Sequence, residues 1–253
     1  MRVLIVTDSL GMARPEVPLE EVWSHRLSKL LWENGHEAVV MAYRGLTSRR
    51  LLAEPCDELG DVHADAAIFQ VGIVDCCRRP YSNGIRKVVE RIGLVRKVVT
   101  KFRFQITRAI GRPVISPGEF ARNLRSVIER ANAAGAAPAI LHIAPPGAFL
   151  RERIHKVADD VAAYNAIIDG LGDVTVLRPY QGAEPEALTL DADGHHLTQT
   201  LTGMHALAFD YRLGVLCLQV VEKGSCRRDF LSLHAECARE YDVLLHLSWK
   251  RAN

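Results

Sequence analysis

Ser9, Asp193 and His196 have the residue types that nucleophilic acyl chemistry needs: a hydroxyl, a carboxylate and an imidazole. Ser9 sits in Thr7-Asp8-Ser9-Leu10-Gly11, directly after the apolar run Val3-Leu4-Ile5-Val6. A small polar cluster closed by glycine after a buried strand marks the carboxyl edge of an α/β sheet, where reactive side chains are displayed. A serine hydroxyl is a weak nucleophile near neutral pH, so a base must take its proton as attack begins. In Asp193-Gly194-His195-His196 the imidazole can serve as that base and the carboxylate can hold its tautomer. Each residue alone has a plainer reading. Ser9 could be a helix N-cap, and His196 a surface histidine in a turn. Their joint placement after the first and the last strand carries the catalytic reading.

Five apolar segments read as strands: Val3 to Val6, Ala38 to Met41, Ala66 to Val71, Ala139 to Ile143, and Val174 to Leu177. Helical spacing separates them. Trp23, Leu27, Leu30 and Leu31 form one stripe, stopped by Asn34-Gly35. Phe120, Leu124, Val127 and Ile128 form another after Ser116-Pro117, and Ile154, Val157, Val161 and Tyr164 a third before Gly170. Such alternation implies a parallel sheet with helices on both faces and right-handed crossovers.

With those elements in place, the chain resembles the SGNH (GDSL-type) hydrolases, serine esterases and acyl hydrolases on a flavodoxin-like fold. Thr7-Asp8-Ser9-Leu10 differs from the family's first block, Gly-Asp-Ser-Leu, at one position, and Asp193-Gly194-His195-His196-Leu197 fits the last. The glycine of the second block matches Gly45 in Tyr43-Arg44-Gly45-Leu46. In the third block, Gly72-Ile73-Val74-Asp75 keeps the glycine and aspartate, with valine where the family has asparagine. Arg14-Pro15-Glu16-Val17-Pro18, followed by Glu20-Glu21-Val22-Trp23, resembles a branch associated with bacterial polysaccharide gene clusters.

The resemblance spans residue 1 to about 213. It implies a three-layer α/β sandwich with five parallel strands in the order 2-1-3-4-5, and a Ser9–His196–Asp193 triad in which His196 rather than His195 is the base. It assigns the oxyanion donors to the backbone N–H of Ser9, that of Gly45 and a side-chain amide of the third block. Read without it, Gly45 is a turn after the second strand. Val74 donates no hydrogen bond, so Ser82, Asn83, Arg78 or Arg79 must stand in, or the enzyme is slow or takes an activated ester. Asp8, Gly72, Asp75 and Asn83 are expected to shape the site, Asp75 by fixing the loop after the third strand.

The expected activity is removal of an acyl group, acetyl-like, from a carbohydrate or related metabolite, with no cofactor or metal. Two alternatives are transfer of the acyl group to a non-water acceptor, and a binding protein with weakened catalysis.

Lys and Arg number 32 against 30 Asp and Glu, a formal net charge of +2 that says little about partners. No long apolar run suggests a membrane span, and the start of the chain does not read as a signal peptide, so the expected location is cytoplasmic. The six cysteines (56, 76, 77, 217, 226, 237) lack metal-site spacing and read as reduced thiols.

Residues 1–214 form the expected domain, with 215–253 an extension packed on it. Residues 78–112 carry eleven basic residues against one acid, Glu90. The apolar residues Ile85, Val88, Val89, Ile92, Val95, Val99, Phe102 and Ile106 form a helical stripe there, which predicts a basic amphipathic helix. Its simplest reading is a lid or flanking helix docked by that stripe. An anionic substrate or carrier, or a membrane surface met through residues 85–106, are sharper readings, and nucleic acid is not expected.

Overall fold

The computed structural model describes residues 1–15, 17–79 and 91–180. Five strands, β1 (Arg2–Thr7), β2 (Glu37–Ala42), β3 (Ala66–Gln70), β6 (Ala137–Leu141) and β7 (Thr175–Leu177), form one sheet in the order β2-β1-β3-β6-β7. All four pairings are parallel. Among these five strands that is the expected order 2-1-3-4-5. A shorter antiparallel ribbon joins β4 (Arg78–Arg79) to β5 (Arg112–Pro113).

Between their ends the central strands are apolar, because helices cover both faces of the sheet. Side chains alternate across it at period two. Leu4, Val6, Ala67, Phe69 and Ile140 face one core, and Val3, Ile5, Ala66, Ile68, Ala139 and Leu141 face the other. The second core is closed by α1 (Trp23–Glu33), which buries Trp23, Leu27 and Leu31. Two short helices follow β2, α2 (Ser48–Ala53) and α3 (Leu59–Val62), and α4 (Ile73–Cys76) follows β3.

The first core is closed mainly by two long helices, α7 (Pro117–Ala133) and α9 (Val157–Asp169). Ser116 caps α7 by accepting from the Glu119 N–H, with Pro117 beside it in the first turn. Phe120, Leu124, Val127, Ile128 and Ala131 are its buried stripe. In α9 the stripe is Val157, Val161, Tyr164 and Ile168, while Ile154 lies ahead of the helix rather than within it.

The basic stretch departs from its expected form. Among the described residues it is two helices, α5 (Gly93–Lys101) and α6 (Arg103–Ile110), broken at Phe102. The two halves of the stripe have different surroundings, and that divides the helix. Phe104 meets His155 edge-on, and Thr107 Oγ1 accepts from the His155 N–H at 3.3 Å, so α6 is tied to the chain after α8 (Ala148–Arg153). Of the expected stripe, Ile92, Val95 and Phe102 stay exposed and Val99 is half-buried, so α5 is not docked by the whole stripe as expected. The ribbon closes the base of the insertion, and Arg78 locks it to α9 through two bonds to Asp160, at 2.6 and 2.9 Å. The extension at 215–253 lies outside the described residues.

Candidate active site

Register brings three loops to one edge of the sheet. Thr7 pairs with Ala42 on one side and Gln70 on the other, so β1, β2 and β3 end level with one another. The ladders continue one step further: the Tyr43 N–H donates to Thr7 O, and the Asp8 N–H to Gln70 O. Ser9, the Tyr43–Gly45 loop and Gly72 therefore leave the sheet side by side, as ligand sites of open α/β sheets do.

The Ser9 loop is a single 3-10 turn, Ser9–Gly11. Its N-cap is Asp8, whose Oδ1 accepts from the Leu10 N–H at 2.9 Å. The capping role is thus taken by the neighbour, which disposes of the N-cap reading of Ser9. The other carboxylate oxygen, Oδ2, is buried without a partner among the described residues. Burial pushes the Asp8 carboxyl up to about 7; the Leu10 N–H opposes this, Asp75 adds to it, and Arg14 also opposes it.

Gly45 adopts φ +63, a left-handed conformation that favours glycine, and it is exposed. Gly72 is more tightly constrained. Its φ is +127, and a Cβ there would come within 2.4 Å of Ile143 Cδ1. The α4 turn follows at once and carries Val74 and Asp75. Val74 is half-buried against the first core. Asp75 Oδ1 accepts from both the N–H and the hydroxyl of Ser48, at 2.9 and 2.7 Å, and Asn123 Nδ2 donates to the same hydroxyl at 3.0 Å. Asp75 thus holds the start of α2, just beyond Gly45, against the turn that follows Gly72. Burial raises its carboxyl to about 6, against the two Ser48 bonds.

A buried polar network underlies the same edge, and sequence reasoning missed it. Gln70 Oε1 accepts from Thr7 Oγ1 at 2.6 Å and from Trp23 Nε1 at 3.0 Å, while its Nε2 donates to the Tyr180 hydroxyl at 3.2 Å. These bonds tie the strand carrying Ser9 to β3, α1 and the chain leaving β7. The one available signal was a polar residue closing an otherwise apolar buried strand. Tyr180 is buried, and its phenol is held above the ordinary range by burial first and by Asp8 second.

Arg78 was one expected stand-in for the missing amide. It is committed to Asp160 instead, which keeps its guanidinium charged and turned to α9. Asp193, His196, Ser82 and Asn83 lie outside the described residues. No cluster of three or more His, Cys, Asp or Glu suited to a metal ion occurs among the described residues.

No family model matches the chain, and neither does any curated protein. Solved structures do match it. The lipase/acylhydrolase from Enterococcus faecalis superposes with a TM-score of 0.58 at 12% identity, over 88% of this chain and 97% of the other. A GDSL-like lipase from Bacteroides thetaiotaomicron gives 0.52 at 15%, over 88% and 89%. An Axe2 mutant, an acetyl-xylooligosaccharide esterase from Geobacillus Stearmophilus, gives 0.55 at 16%, over 82% and 91%. The chain has the α/β fold of the GDSL-type lipases and acylhydrolases.

Proposed function

We propose that this protein is a serine ester hydrolase of the SGNH type. The observation that carries the reading is the level ending of β1, β2 and β3, which sets Ser9 beside the Gly45 and Gly72 loops. In the proposed reaction the Ser9 hydroxyl attacks the acyl carbonyl as its proton passes to His196, whose imidazole Asp193 orients. The alcohol then leaves with that proton, and water, activated by the same histidine, releases the acyl group from Ser9. The N–H groups of Ser9 and Gly45 are the proposed oxyanion donors.

The proposed substrate is an O-acyl, acetyl-like ester of a carbohydrate or related metabolite. Fold kinship with an esterase that acts on acetyl-xylooligosaccharide supports that class. Val74, unable to donate, favours slow turnover or an activated ester.

A fluorophosphonate probe tests the nucleophile. The expected result is covalent labelling of the wild type and none of Ser9→Ala. An unlabelled wild type, or equal labelling of the variant, overturns the reading.

A further inference from the structure

Eight large apolar side chains are exposed among the described residues, and five of them fall between positions 92 and 110. They are Ile92, Val95, Val98, Phe102 and Ile110, from 36 to 66% exposed. The first four recur at three- and four-residue spacing, so they stand as one stripe along α5 and its flanks. An amphipathic helix ordinarily buries such a stripe. Here α6 takes the docked position, through Phe104 and Thr107, and leaves the α5 stripe facing water.

The charge of the same stretch is one-sided. Residues 91–112 hold seven Lys and Arg and no Asp or Glu, in a chain whose overall formal charge is only +2. Lys97 and Lys101 are exposed and fall off the apolar stripe, on the polar side of α5. Lys101 Nζ stands 5.7 Å from the Phe102 ring centre, at the seam between the two faces.

We propose that the α5 face is a docking surface for an anionic lipid membrane. An apolar stripe with exposed Lys97 and Lys101 on the polar side of the same helix supplies the two requirements of an interfacial helix: apolar area to enter the acyl boundary and positive charge to meet the headgroups. No helix among the described residues is long and apolar enough to cross a membrane, so the contact is one of lying on the surface. Two other occupants fit less well. Nucleic acid would need aromatic platforms, whereas the stripe is mostly aliphatic and Phe104 is already against His155. A second copy would bring up another stretch rich in Lys and Arg, with no Asp or Glu between residues 91 and 112 to pair with the first.

The test uses the full-length chain, co-sedimented with phosphatidylcholine vesicles with and without phosphatidylglycerol. Binding is expected only to the anionic vesicles and is expected to weaken as salt is added. Each cation near such a surface contributes about fivefold, so Lys97→Gln/Lys101→Gln should weaken binding roughly 25-fold. Val98→Ser/Phe102→Ser should abolish it, and Trp32→Ser, at an exposed apolar residue of α1, should leave it unchanged. Thermal melts confirm that each variant folds.

Absence of binding, or equal binding to vesicles of phosphatidylcholine alone, overturns the proposal. So does preferential capture of a labelled oligonucleotide, or a dimer dispersed by Val98→Ser/Phe102→Ser in place of vesicle binding. None of these readouts depends on Ser9.

Discussion

Gln70 Nε2 donates to the Tyr180 hydroxyl at 3.2 Å, joining the end of β3 to the chain leaving β7, 110 positions away in sequence. The same amide accepts from Thr7 and Trp23, so one buried side chain braces the loop that carries Ser9 from three directions.

Removing one partner of a buried hydrogen bond costs about 1–3 kcal/mol, because the group left behind has lost its water as well. Tyr180→Phe orphans one donor and is expected to lower stability by that amount. Gln70→Ala removes the bonds to the Thr7 hydroxyl, the Trp23 indole and the Tyr180 hydroxyl together and should cost more. Urea unfolding of both variants checks the ranking; a Gln70→Ala protein as stable as the wild type would show that the network contributes nothing.

Asp8 gives stability a pH dependence of definite sign. Its carboxyl rises from 3.8 to about 7 on folding, so the folded state holds the proton more tightly than the unfolded chain. The group's stabilising contribution is therefore complete below about pH 4 and is lost as pH rises through about 7. Asp75, raised to about 6, acts in the same direction over the lower part of that window. Asp8→Asn keeps an acceptor for the Leu10 N–H and cannot ionise, so its unfolding midpoint should fall less than that of the wild type between about pH 4 and 7. Parallel pH profiles for the two proteins would mean that Asp8 ionises as an ordinary carboxylate.

Val74 is the residue whose chemistry departs from the third-block pattern, while Gly72 and Asp75 keep its spacing. Val74→Asn is expected to raise turnover on a small activated ester, since one well-aimed donor is worth up to about a hundred- to a thousandfold in rate. The half-buried packing of Val74 predicts a stability loss on the order of 1 kcal/mol. Val74→Ala should bring the stability loss without the gain in turnover. If asparagine and alanine behave alike while Ser9→Ala abolishes activity, the donor lies elsewhere in the chain.

The sheet was legible in the sequence because its signals are local. Buried parallel strands are short apolar runs, helices repeat their apolar residues at three and four, and a polar cluster closed by Gly11 marks where β1 ends. Those patterns placed Ser9, Gly45 and Gly72 after three successive strands. Local signals also have limits. The single helix expected through the basic stretch is broken at Phe102, because α6 is held at His155, far along the chain, and α5 is not.

Sequence by itself determined which residues are apolar, at what period they recur, and that cations crowd residues 78–112. Only the tertiary structure decided which polar groups meet and which apolar stripe stays in water. Gln70 with Tyr180, Asp75 with Ser48, and Arg78 with Asp160 are separated by 110, 27 and 82 positions. Their bonds form because the parallel sheet aligns its strand ends and its helices pack against them. A periodicity records a face; what that face touches is set by chain packed against it from elsewhere in the sequence.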